Sequence, residues 1–164
     1  MTDRDPKLTQ IYVDLPHHQG ADGEAIWALP LGDDTFELRN VPFYAYGLNF
    51  RDVVHAVAPG ADKPPEIVSV VKRSGHATLR VFLDDAAPAD ARASLFAAFE
   101  RFRAVSEKAT ASYLAVDVAP DGDMAGLRAE LDRWEEQGVL FYETCEARVP
   151  GSFDDEPGAG QIEA

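Results

Sequence analysis

The chain has 164 residues, 29 of them acidic against 15 basic, for a formal net charge of −14. A chain of this length and 46% hydrophobic content buries one ordinary core, or two small sheets sharing one, without disulfide or metal staples. Its negative field repels phosphate backbones and anionic headgroups, which excludes nucleic acid and membrane surfaces as partners and favours a basic protein.

Lys7 to Pro16 opens the fold with Ile11, Val13 and Leu15 alternating against polar neighbours, the period-two pattern of a half-buried strand. A polar loop from His17 to Gly23 follows. Alternation resumes from Glu24 to Leu31, where Ala25, Trp27, Leu29 and Leu31 are the expected inward set. Gly32-Asp33-Asp34 is a turn, so Thr35 to Arg39 returns as the second arm of a hairpin. Pro42 and Gly47 bend an aromatic block that holds Phe43, Tyr44 and Tyr46, after which Asp52 to Ala58 is a fourth strand. A loop rich in proline and glycine leads to β-branched segments at Glu66–Arg73 and His76–Asp84, joined through Ser74-Gly75 as a tight hairpin in which glycine takes a positive φ.

The period then changes. Leu95, Phe99 and Phe102, widened by Phe96 and Val105, predict a helix of about five turns that opens at Pro88 and Asp90 and closes near Thr110. Tyr113–Val118 is a short strand. Asp121 is placed to cap a second helix with Met124, Leu127, Leu131 and Trp134 on its apolar stripe and Gly138 as its stop, and Val139–Cys145 is the last strand. The expected class is α+β: a bent antiparallel sheet or small barrel over 7–75, joined by the hairpin to a ferredoxin-like β-α-β-α-β half over 76–147 in one compact unit. Residues 151–164 read as a disordered acidic tail.

Chemistry is sparse in this pattern. His76, near Arg73 and Arg80, is the best single candidate for a group that titrates near neutrality. Ser74, His76 and Asp117 can be drawn as a nucleophile set, but neighbours in a tight turn diverge and no G-x-S-x-G elbow is present. The reading leans against an enzyme without deciding the question. His17 and His18 with Asp14 and Asp22 lack metal-ligand spacing, no glycine-rich phosphate cradle occurs, and neither metal nor cofactor is implied. Cys145 lies between Glu143 and Glu146, which disfavours a reactive thiolate. A lone cysteine, an acidic N-terminus without a secretory apolar region, and no run of about 20 apolar residues point to a reducing cytoplasm.

Two surfaces remain as binding candidates. Phe43, Tyr44 and Tyr46 with Arg73, Ser74, His76 and Arg80 would border a small-molecule pocket where the aromatic block meets the Ser-Gly-His hairpin. Asp132, Glu135 and Glu136 on the second helix would present a carboxylate face to a basic partner. The blocks Trp27–Leu31, Leu38–Leu48 and Arg73–Val81 resemble an uncharacterised bacterial family catalogued as domain of unknown function 4265. The resemblance runs from about Lys7 to Ala147, ending in the strand that holds Tyr142-Glu143. It implies one folding unit of bacterial origin and carries over no catalytic residue, because that family has no assigned activity. The leading reading is an acidic protein-interaction module, immunity-like in binding a basic protein; the alternative is a small-molecule binding or sensory domain.

Overall fold

The structure is a computed structural model and describes residues 7–18 and 20–154. Among the described residues eleven elements fall into two compact units: one runs to Ser74 and resumes at Glu146, and the other is Gly75–Cys145.

The first unit is a closed barrel of β1 (Thr9–Asp14), β2 (Gly23–Gly32), β3 (Thr35–Leu38), β4 (Val53–Val57) and β5 (Glu66–Lys72) in sequential order. Neighbours pair antiparallel, and closure comes from a parallel contact between β1 and β5, where the Tyr12 N–H donates to Pro65 O at 2.8 Å. Period-two alternation sends Ile11, Val13, Phe36, Leu38, Val54, Ala56 and Ile67 inward, and Leu48 from the aromatic block joins them.

The inward set of β2 differs from expectation. Glu24, Ile26 and Ala28 are buried, whereas Ala25 and Leu31 are exposed and Trp27 and Leu29 are half-buried. Both faces of this strand are apolar enough to pass as the core face, so alternation alone does not settle its phase; pairing with β1, Val13 against Glu24 and Ile11 against Ile26, does. Gly23 is required at the start of β2 because the Tyr12 ring lies across it, in the space a Cβ would fill.

The second unit is an antiparallel sheet in the order β7-β8-β6-β9, made of β6 (Ala77–Leu83), β7 (Ala104–Lys108), β8 (Tyr113–Val118) and β9 (Leu140–Thr144). Helices α1 (Ala89–Arg101) and α2 (Met124–Glu136) supply Leu95, Phe99, Leu127 and Leu131 to the core that β6 fills with Leu79, Val81 and Leu83. Three expectations need correction here. The first helix is 13 residues long, because Arg103 turns the chain with φ +62 and 104–108 become β7. Val105, counted with the helical stripe, is 67% exposed on that strand. The cap of α2 is Asp123, whose carboxylate accepts the Gly126 N–H at 2.8 Å, while Asp121 pairs with Arg103.

The Ser74-Gly75 connection is not a hairpin either: β5 belongs to the barrel, β6 to the second sheet, and the two do not pair. Gly75 does take a positive φ, of 92°. Of the segment read as a tail, 151–154 are described. Ser152 bridges to Val149, Phe153 packs on the barrel core and accepts the Tyr46 N–H at 2.8 Å, and Asp154 is buried; the remainder lies outside the described residues.

Candidate functional site

The aromatic block is held in place by a residue that sequence reasoning did not single out. The buried Glu24 carboxylate accepts three consecutive backbone N–H groups, from Phe43 at 2.7 Å and from Tyr44 and Ala45 at 2.9 Å each. A carboxylate fanned by three amides is a strong, charge-assisted arrangement that fixes a loop without using its side chains. The one available signal is that Glu24 opens a strand whose next inward positions, Ile26 and Ala28, are apolar. Tyr46 is buried with the Arg148 guanidinium 4.6 Å over its ring, and Tyr44 packs on the barrel core with His18 edge-on at 5.3 Å.

Arg73 and Ser74 serve the same corner. Ser74 N–H donates to Asp52 Oδ1 at 2.8 Å and its hydroxyl donates to Phe50 O at 2.7 Å. Arg73 Nη1 donates to Gly47 O at 2.5 Å and lies 3.4 Å from Asp52 Oδ2. Asp52 is fully buried and also accepts the Asn49 N–H at 2.9 Å. The Arg-Ser pair therefore ties the end of β5 to the loop after the aromatic block. Beside it an open groove of about 200 Å³ is bordered by Gly47, Val68, Val70, Arg73, Ser152 and Phe153.

His76 and Arg80 lie in the second unit and line the sheet face away from α1 and α2. His76 meets Asp117 on β8, with Nδ1 2.8 Å and 3.0 Å from the two carboxylate oxygens. An ionised carboxylate only accepts, so Nδ1 carries the proton in that state. Burial pushes the Asp117 carboxyl above its usual range, and the His76 contact offsets part of that rise. One strand pair along the sheet, Arg80 is 1% exposed and its Nε donates to Glu143 Oε2 at 3.2 Å. Thr78 and Cys145 are buried on the same face. Asp117 thus finds His76, while the Ser74 hydroxyl of the barrel unit donates to Phe50 O.

On α2 the residues Asp132, Glu135 and Glu136 are all exposed. Asp132 accepts the Tyr142 hydroxyl at 2.5 Å and Glu135 accepts the Tyr142 N–H at 3.1 Å, so two of the three also brace β9. The Tyr142 hydroxyl is pushed up by burial and by its bond to Asp132. Arginines 39, 51, 73, 80, 101, 103 and 133 each meet a carboxylate. Among the described residues no group of three His, Cys, Asp or Glu side chains converges as a metal ion requires, and no helix is long and apolar enough to cross a membrane.

A family model described as a domain of unknown function (DUF4265) matches residues 24–142, from the start of β2 into β9. Among solved structures, one described as a novel crystal structure of a hypothetical protein from Neisseria gonorrhoeae is similar to this chain. It aligns at a TM-score of 0.73 with 23% identity, over 87% of this chain and 97% of that one, a likeness of fold. No curated protein matches the chain.

Proposed function

The chain belongs to the DUF4265 family, and from that premise we propose that it is a non-enzymatic, acidic protein-interaction module that binds a basic protein, in the manner of an immunity protein. The observation that carries the reading is the charge distribution. Against a net charge of −14, many arginines are already spent on internal carboxylates, while Asp132, Glu135 and Glu136 stand exposed along one helix. A field of one sign steers an oppositely charged partner and speeds encounter, and salt weakens it. The buried, lone Cys145 suits the reducing cytoplasm such a module would occupy. We read the second unit as ferredoxin-like; its β-α-β-β-α-β succession and the order β7-β8-β6-β9 support that reading.

The test is retention of proteins from the source organism's lysate by the immobilised chain at low and moderate salt. The expected result is a basic protein held at low salt, released as salt rises, and lost when Asp132, Glu135 and Glu136 are reversed to lysine. Retention indifferent to salt and to charge reversal would overturn the reading.

Small-molecule binding is the second reading. Within the barrel unit Tyr44 packs on the core and Tyr46 is buried beneath Arg148. The groove beside Arg73 supports the reading in altered form, with one half-exposed guanidinium next to Val68 and Phe153. Calorimetric titration with short-chain carboxylates checks it: saturable heat that disappears in Val68→Glu is expected, and no heat in the parent chain would end it.

A further inference from the structure

We propose that the basic partner docks through an arginine-bearing segment on an aromatic row formed by Tyr113, Phe82 and Phe141, an inference that rests on the interaction reading above and gives it a surface. The row follows from strand register. Phe82 on β6 pairs with Tyr113 on β8 and with Phe141 on β9, so three aromatic side chains stand abreast across three strands. Alternation sends Leu79, Val81 and Leu83 into the helix-covered core, and Phe82 therefore shares the opposite face with Thr78 and Arg80. The Phe82 and Tyr113 rings stack at 4.6 Å and 9°, Phe82 is 40% exposed and Phe141 is 67% exposed. Large apolar groups gathered in one exposed row, rather than scattered singly, mark a surface that another molecule covers.

Carboxylates flank the row on both sides. Asp84 and Asp85 follow directly on β6 and are exposed, and Glu143 stands one pair along β9 beside Arg80. The cation closest along the chain is Arg80, two residues from Phe82 on β6, which is buried and pairs with Glu143; Lys108 at the end of β7 and Arg92, whose Nη1 donates to Ala111 O, come next. Two ligand chemistries use an exposed row of aromatics on a sheet. Single-stranded nucleic acid stacks its bases there, but needs a positive groove for its phosphates. A guanidinium stacks on the rings and pairs with adjacent carboxylates, and this is the chemistry a net charge of −14 with exposed Asp84 and Asp85 beside the row favours. Arginine fits better than lysine because its planar fork can lie on a ring and still donate sideways in pairs.

The test uses fluorescence anisotropy of labelled nona-arginine, nona-lysine and a short oligothymidine against the full chain. The variants are Phe141→Ala, Phe82→Ala and the pair Asp84→Asn with Asp85→Asn. Phe141 is largely exposed, so its variant keeps the fold even where Phe82→Ala does not, and near-ultraviolet circular dichroism checks both. The expected result is tighter binding of nona-arginine than nona-lysine. Phe141→Ala should weaken nona-arginine about tenfold and nona-lysine distinctly less. Equal nona-arginine affinity in the parent chain and Phe141→Ala would overturn the docking surface and leave the acidic-module reading standing. Failure of both cationic peptides to bind at low salt would overturn both. Saturable oligothymidine binding would overturn the proposal in favour of nucleic acid.

Discussion

The barrel unit and the helix-backed unit both bury carboxylates, and they satisfy them with different donors. In the barrel, Glu24 accepts backbone amides alone among its observed bonds, and Asp52 accepts the amides of Asn49 and Ser74 with a longer approach from Arg73. In the sheet unit, buried Asp117 faces an imidazole, and half-buried Glu143 faces the buried Arg80 guanidinium. Backbone amides are fixed by the chain's own path, so the barrel carboxylates act as struts that define loop shape. On the sheet face the carboxyl raised by burial is that of Asp117, and it is there that pH bears on this contrast. The difference teaches that the most recognisable blocks of this sequence, the aromatic corner and Arg73-Ser74, are tied into the barrel's own hydrogen bonds, while the surfaces proposed for binding are an exposed helix and an exposed aromatic row.

The largest effect should come from breaking the barrel side of this contrast. Glu24→Ala removes the acceptor of three amides and should cost on the order of 3–5 kcal/mol in urea unfolding, with Glu24→Gln losing about 1–2 kcal/mol because one oxygen can still accept. A loss below about 1 kcal/mol for Glu24→Ala would mean the corner holds itself together by packing. Ser74→Ala should cost about 1 kcal/mol, the worth of its hydroxyl bond to Phe50 O, and leave partner binding unchanged. Loss of binding without loss of stability would instead make Ser74 a contact residue.

The sheet side of the contrast is sharpened by pH. Because burial raises the Asp117 carboxyl above its unfolded value, the folded state prefers the protonated form. The stability this group contributes is full below the ordinary carboxylate range and is lost as pH rises through the raised folded value. Relative to Asp117→Asn, which does not titrate, the parent chain should therefore lose stability as pH rises across that window. Urea unfolding of both forms at several pH values checks the sign; a parent chain that gains on the variant with rising pH would contradict it. The smallest effect is expected at the exposed helix, where Glu136→Lys should change stability by less than about 0.5 kcal/mol while slowing association with a basic partner at low salt.

Much of this architecture was legible from residues alone. The alternation of Ile11, Val13 and Leu15 marks β1, Gly32-Asp33-Asp34 marks the first hairpin, and Gly138 marks the end of α2, each through local chemistry that tertiary contacts then respect. Where both readings of a segment were locally sound, the long-range contacts decided. Residues 104–108 have alanine, glutamate and lysine, all good helix formers, and Val105 continued the stripe of α1, so only pairing with β8 reveals the strand. The phase of β2 was hidden in the same way, and with it the inward Glu24. The His76–Asp117 contact spans 41 residues of sequence. Its only local trace is an aspartate within the otherwise apolar run Tyr113–Val118, enough to draw the pair.

The division between architectural motifs and binding surface is tested most directly by one kinetic comparison: the association rate of the basic partner recovered from lysate with the parent chain, with His76→Ala, and with Asp132, Glu135 and Glu136 reversed to lysine, all at low salt. The account predicts that His76→Ala associates at the parental rate and that charge reversal slows association at least tenfold, a difference that closes as salt rises. Slowed association by His76→Ala together with parental behaviour of the charge-reversed chain would contradict it, and would move the binding surface to the His76–Asp117 end of the sheet.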